Sequence, residues 1–167
     1  YNEKNLDPIE NTAKFFFLNR TCFNGLYRVN KKGLFNVPCG KYMQPQICDE
    51  DTLRADSELL KRVEILEGDF ENTLLYAQGK TLFYFDPPYR PLSDTSSFND
   101  YTKEAFNDDS QVRLKKFCDK VVADGHNFML SNSDCKGKNE ADNFFDILYA
   151  DYYIDRVMAS RNVNANG

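Results

Sequence analysis

Apolar residues along this chain follow two rhythms: helical spacing in some stretches, and short continuous runs closed by turn residues in others. The spacing predicts a helix from about Ile9 to Arg20, with the run Phe15-Phe16-Phe17-Leu18 forming a largely buried middle. Phe23 to Tyr42 differs in kind. Asn24-Gly25, Asn30, Lys32-Gly33 and Val37-Pro38-Cys39-Gly40 are turn punctuation between short aromatic and β-branched pieces, which predicts a loop and hairpin region. A second helix is expected over Asp51–Arg62, with Asp51 or Thr52 as its cap.

Beyond that point the pattern becomes strand, loop, helix. Val63–Leu66 and Thr81–Phe85 read as strands, the second running directly into Asp86. Val112, Leu114, Phe117, Val121 and Val122 place a helix over Asp108–Asp124, which Gly125 ends. Asn127–Leu130 is the next expected strand, followed by a short helix around Asn139–Phe145 and a last strand near Tyr152–Met158. Strands alternating with helices imply an α/β fold with a mostly parallel sheet, whose ligands sit beyond the carboxyl ends of the strands. Gly68-Asp69-Phe70, Asp86-Pro87-Pro88-Tyr89 and Ser131-Asn132-Ser133-Asp134 each follow an expected strand, so all three are expected along one sheet edge.

Charge alters this picture locally. The net charge of -5 argues against a generic basic nucleic-acid coat. Yet Asn11 to Cys48 contains no Asp or Glu, while Lys14, Arg20, Arg28, Lys31, Lys32 and Lys41 all fall within it. A basic block inside an acidic protein suits a local phosphate-facing surface, although a solvated loop that merely lacks acids would look the same. The 5 cysteines are dispersed without a C-x-x-C pair, which suits reduced thiols in a cytosol. The single His126 has no neighbouring ligand set, so no metal site is expected. No apolar run has the length of a membrane span, and Tyr1-Asn2-Glu3-Lys4 has no signal-peptide pattern.

The tetrad Asp86-Pro87-Pro88-Tyr89 carries the chemistry. Two prolines fix their own φ angles, push the residues before them toward extended backbone, and donate no N–H. Asp86 offers a carboxylate, the Asp86 or Pro87 carbonyl a second acceptor, and Tyr89 an aromatic face. Those groups fit an amino group on a heteroaromatic ring, which has two hydrogens to donate and a face to stack. The adenine amino nitrogen is a poor nucleophile because its lone pair is delocalised; two acceptors on its hydrogens favour the pyramidal, attacking form. An exposed aromatic also holds a base drawn out of the duplex, where the target atom is otherwise unreachable.

With these residues in view, the chain resembles the Dam-type (D12 class, alpha group) DNA adenine-N6 methyltransferases. Two blocks carry the resemblance. One is the tetrad with Pro91-Leu92-Ser93, Phe98 and Tyr101; the other runs from Leu18 to Asn30 and on through Gly33–Pro38 to Gly40-Lys41-Tyr42, similar to the family's target-recognition hairpin. The resemblance implies a partial Rossmann-like class I methyltransferase sheet with an inserted target-recognition region. It implies S-adenosylmethionine as methyl donor, with Asp69 and Phe70 at the cofactor adenine and Asp86 between cofactor and substrate. It implies double-stranded DNA as partner, with Asn24, Leu26, Arg28, Pro38 and Tyr42 at or near the bases, and Lys31, Lys32 and Lys41 at phosphates. Arg28 is the natural guanine reader, since a guanidinium pairs bidentately with O6 and N7. The implied target is GATC or a related site, the implied compartment the bacterial cytosol or nucleoid, and a restriction endonuclease of the same system is an implied partner.

The expected organisation is a leading helix over residues 1–22, a recognition region over 23–62 and a catalytic part over 63–167. The family's F-x-G-x-G cofactor motif and its ribose-binding acid have no counterpart here, and Arg161–Gly167 resembles a segment the family follows with another strand. The chain is therefore expected to be a fragment of a larger enzyme, binding S-adenosylmethionine weakly or not at all in isolation. Two alternatives stay open: methylation of the cytosine amino nitrogen, where Ser more often replaces Asp86, and a DNA-binding fragment without catalytic competence.

Overall fold

The computed structural model describes residues 6–91 and 106–158, which form two compact units divided between Leu66 and Glu67. Leu92, Ser93, Phe98, Tyr101 and the segment Arg161–Gly167 lie outside the described residues.

The first unit opens with α1, Pro8–Thr21, set by a capping box. Asp7 Oδ1 accepts from the N–H groups of Ile9 and Glu10 at 2.8 and 2.9 Å, while Glu10 Oε2 accepts from the Asp7 N–H at 3.1 Å. The largely buried middle expected for this helix is not observed: Phe15, Phe16 and Phe17 are exposed and only Leu18 is buried. Successive helical residues turn by about 100°, so three consecutive rings cannot share one face. Leu18 packs with Cys22, Phe35 and Val37, and Phe15 leans on Tyr27, their ring centroids 5.1 Å apart.

After α1 the chain folds back on itself without a continuous ladder. Two isolated antiparallel bridges, Cys22↔Cys39 and Val29↔Phe35, hold the segment. Between the arms of the second, Asn30 Oδ1 accepts from the Lys32 and Leu34 N–H groups and Gly33 takes φ +72°, a left-handed turn that favours glycine. Helix α2 spans Glu50–Leu60, and its cap is Asp49, whose carboxylate accepts from Thr52 N–H, in place of the expected Asp51 or Thr52.

The second unit is an α/β arrangement around two parallel strands, β1 (Leu82–Phe85) and β2 (Asn127–Leu130), in register from Leu82↔Asn127 to Phe85↔Leu130. Helix α3, Asp108–Ala123, crosses between them and buries Gln111, Leu114, Phe117, Cys118 and Val121. The stripe is shifted from the expected one: Val112 is half-buried and Val122 exposed. Phe83, Leu114, Phe117, Cys118, Val121 and Tyr149 form the core, with Phe85, Phe128 and Leu130 against it. The opposite sheet face, bearing Leu82, Tyr84 and Met129, is exposed.

Three expectations fail here. Val63–Leu66 and the described Tyr152–Met158 are not strands, and Ile65 is 75% exposed. A strand needs a ladder partner, and no described strand lies beside either segment. The short helix is α4, Phe144–Leu148, later than expected because Asn139–Asp142 is taken up by turns.

Candidate active site and nucleic-acid interface

Parallel pairing brings the chemistry together at one end of the small sheet. Because Phe85 pairs with Leu130, the chains leave β1 and β2 side by side, and Asp86 and Ser131 emerge as neighbours. The Ser131 N–H donates to Phe85 O at 3.0 Å, and its hydroxyl donates to Asp86 Oδ1 at 2.6 Å. The Tyr84 hydroxyl donates in turn to Ser131 Oγ at 3.3 Å.

The turn at Pro88 is held by a buried glutamine and, through it, by a half-buried asparagine. Gln111, 0% exposed, donates from Nε2 to the Pro88 carbonyl at 3.2 Å and accepts at Oε1 from Asn132 Nδ2 at 3.1 Å. Asn132 Oδ1 accepts from the N–H groups of Arg90 and Ser133 at 3.1 and 2.9 Å, and the Ser133 hydroxyl donates to Arg90 O at 2.6 Å. The Pro88 carbonyl is therefore engaged, whereas the Asp86 and Pro87 carbonyls accept no bond from the described residues. Asp86 is exposed and Tyr89 is 39% exposed beside it.

Arg90 anchors the far side of the turn. Its guanidinium donates to Asp108 at 2.8 Å and to Asp142 at 2.5 Å, and lies 4.6 Å from the Phe144 ring centroid. The Asp108 bond raises the Arg90 pKa against the opposing effect of burial, and the same guanidinium holds Asp142 below the usual carboxylate range. Arg90 is thus a structural cation, spent on protein carboxylates.

Asp69 and Phe70 stand apart from the tetrad in one respect: no strand precedes them, so the expectation that three strand ends share an edge holds for only two. Asp69 Oδ1 accepts from Glu71 N–H, starting the 3₁₀ segment Phe70–Tyr76, and from Arg113 at 2.6 Å. That Arg113 bond keeps the Asp69 carboxyl below its ordinary range. The Phe70 ring carries the Arg113 guanidinium 4.6 Å from its centroid and packs edgewise on Phe106 and Phe117. Helix α3 therefore supports both candidate segments, through Gln111 to Pro88 and through Arg113 to Asp69.

In the first unit, Asn24, Leu26, Lys31, Lys32, Pro38, Lys41 and Tyr42 are exposed. Asn24 adopts φ +53°, the left-handed backbone that asparagine tolerates. The Tyr42 ring lies over Gly40, where a Cβ would come within 2.3 Å of it and would displace the ring. Arg28 is half-buried: Nε donates to Asn36 Oδ1 at 2.9 Å and Nη2 to Asn36 O at 3.2 Å. Asn36 thus orients Arg28, a role for which the sequence offered no signal. His126 accepts from Thr81 N–H at Nδ1, and no group of three or more described His, Cys, Asp or Glu side chains could hold a metal ion.

Comparison with known proteins places the chain among similar sequences. Residues 1–163 match the family described as D12 class N6 adenine-specific DNA methyltransferase. The chain is 51% identical over 166 residues to type II methyltransferase M.MjaIII of Methanocaldococcus jannaschii, covering 99% of this chain and 55% of that protein. It is 40% identical over 162 residues to type II methyltransferase M1.LlaDCHI of Lactococcus lactis subsp. cremoris, covering 96% of this chain and 55% of that protein. With a DNA adenine methylase of Vibrio cholerae the identity is 33% over 162 residues, covering 96% of this chain and 56% of the relative. The chain spans about half the length of the curated relatives it matches.

Proposed function

We propose, from the premise that this chain belongs to the D12 class of N6 adenine-specific DNA methyltransferases, that it carries the substrate-binding side of a methyl-transfer site for adenine in duplex DNA. The observation that carries the reading is the end of the paired strands. There an exposed Asp86 carboxylate, two carbonyls with no bond from described residues and the Tyr89 ring are gathered on a turn braced by Gln111 and Asn132.

Bound S-adenosylmethionine would supply a methyl group on a positively charged sulfur, ready for displacement by a nucleophile. Asp69 suits the adenine amino group of that cofactor: its Oδ1 is committed to Arg113 and Glu71, and Oδ2 has no partner among the described residues. Phe70 has Arg113 over its ring, so it meets a cofactor ring only with its remaining surface. At the substrate, Asp86 and the Asp86 or Pro87 carbonyl accept the two amino hydrogens, while Tyr89 stacks on the extracted base. Accepting a methyl group would leave the amino nitrogen positive and acidic. Its proton leaves to Asp86 or to water, so a strong base is not required.

The first unit is the DNA-reading part of this proposal. Its bridged segment acts as the recognition hairpin, with Arg28 reading guanine, Asn24, Leu26, Pro38 and Tyr42 near the bases and Lys31, Lys32 and Lys41 on phosphates. GATC or a related site is the proposed target, the DNA-containing cytosol or nucleoid the proposed compartment, and a restriction endonuclease a proposed partner, a setting in keeping with relatives named type II methyltransferases.

The test is transfer of labelled methyl from S-adenosylmethionine to a GATC-containing duplex by the full-length protein, with digestion to nucleosides. N6-methyladenine is the expected product, and Asp86→Ala is expected to abolish it while leaving DNA affinity nearly intact. N4-methylcytosine would favour the cytosine alternative; binding without any transfer would leave only DNA recognition; turnover by Asp86→Ala would refute the role of the carboxylate.

A further inference from the structure

An aspartate side chain is a loose tool until something fixes its plane. Its terminal torsion is broad and roughly two-fold, so an exposed carboxylate on a turn samples orientations that a reacting amino group does not share. Misplacement by about 1 Å costs on the order of a hundredfold in an oriented reaction. The prolines fix the backbone around Asp86 but leave that torsion free. The part of the structure that constrains it comes from the neighbouring strand.

We propose that Ser131 is a positioning residue for Asp86, its hydroxyl holding Oδ1 so that Oδ2 is turned to the substrate amino group. This rests on the reading of Asp86 given above. Ser131 is itself well placed to be rigid. Its N–H is tied to Phe85 O at 3.0 Å, and the next residue, Asn132, is fixed by Gln111 and by the Arg90 N–H. Serine has a single proton to give, and an ionised carboxylate can only accept. With the Tyr84 hydroxyl donating to Ser131 Oγ from the exposed sheet face, the serine proton is committed to Asp86 at 2.6 Å. The chain Tyr84–Ser131–Asp86 thus runs in one direction, and each bond in such a chain polarises the next. The arrangement also leaves one defined carboxylate oxygen available, where an unrestrained group would offer two interchangeable ones.

The experiment is single-turnover methyl transfer by the full-length protein, with the rate separated from DNA affinity. Ser131→Ala is expected to slow transfer about tenfold with DNA affinity unchanged, as for loss of a hydrogen bond to a charged group. Ser131→Thr, which keeps the hydroxyl, is expected to recover most of the rate. Ser131→Cys, close in size but a weak donor, is expected to behave as Ser131→Ala, and it keeps the test sound where the alanine variant folds poorly. Wild-type transfer by Ser131→Ala or Ser131→Cys would overturn the proposal, as would equal loss in all three variants. With Asp86→Ala measured alongside, the two failures separate: an inactive Asp86→Ala with an unaffected Ser131→Ala sinks this inference alone, whereas turnover by Asp86→Ala sinks the site reading beneath it.

Discussion

A glutamine with no exposed surface, set in an otherwise apolar helical stripe, must find partners for both ends of its amide, and Gln111 finds them in Pro88 and Asn132. Gln111→Leu keeps the volume and removes both bonds, stranding a carbonyl and an amide N–H. The expected cost is about 1–3 kcal/mol, read as a lower denaturant midpoint, together with slower methyl transfer as the turn loosens. Gln111→Glu is a sharper probe. It keeps an acceptor for Asn132 but sets a buried carboxylate oxygen against the Pro88 carbonyl, so it is expected to be worse than Gln111→Leu at neutral pH and to recover in acid. A Glu variant as stable as wild type at neutral pH would remove the bracing role. Asp86, Pro87, Pro88 and Tyr89 were legible in the sequence because proline stiffness and carboxylate chemistry are properties of the residues themselves. Gln111 was not. Its signal is a polar residue in phase with Leu114, Phe117, Cys118 and Val121, a phase that the apolar Val112 and Val122 obscure.

Helix α3 is the element that joins core to site, and its buried face carries a titratable group. Burial pushes the Cys118 thiol up to about 12, with Asp119 adding to the shift, and Tyr149 is raised by burial in the same core. The sign follows from linkage: a group whose pKa is higher folded than unfolded contributes stability in full below its unfolded value, about 8.5 for a thiol, and loses it as pH rises toward the folded value. Unfolding free energy is therefore expected to decline from about pH 8.5 to about pH 12, and Cys118→Ala is expected to flatten that limb in urea titrations across the range. An identical alkaline slope in the variant would show that Cys118 does not carry it. Elements whose signal is local were readable: α1, α2, α3, β1 and β2 all lie close to their expected spans. Val63–Leu66 and Tyr152–Met158 were not, since an apolar run becomes a strand only against a partner that its own sequence does not contain. The bridged segment between Cys22 and Cys39 falls between these cases: its turn at Asn30–Gly33 follows from residue chemistry, whereas the extent of its ladder does not.

At the scale of the whole molecule, a net charge of -5 repels a polyanion, so any DNA affinity must come from how charge is distributed. The segment without acids, Asn11 to Cys48, contains the bridged fold in which Lys31, Lys32 and Lys41 are exposed while Arg28 is held by Asn36. Under the proposed function these two kinds of cation have separable signatures. Each lysine that neutralises a phosphate releases counterions, contributing about 0.9 to the slope of log affinity against log salt. Replacing Lys31, Lys32 and Lys41 together by Ala is expected to flatten that slope by roughly 2.7 and to weaken binding to every duplex alike. Arg28→Ala is expected to leave the slope nearly unchanged and to lose about 1–3 kcal/mol of discrimination at one guanine. Asn36→Ala is expected to give a weaker form of the Arg28→Ala result, because the guanidinium remains but loses the partner that orients it. Fluorescence anisotropy over a salt series, on a GATC duplex and on one with the guanine replaced, distinguishes all three variants. An Arg28→Ala protein that bound both duplexes equally more weakly, with a flatter slope, would turn Arg28 into one more phosphate contact and leave base reading to Leu26, Pro38 and Tyr42.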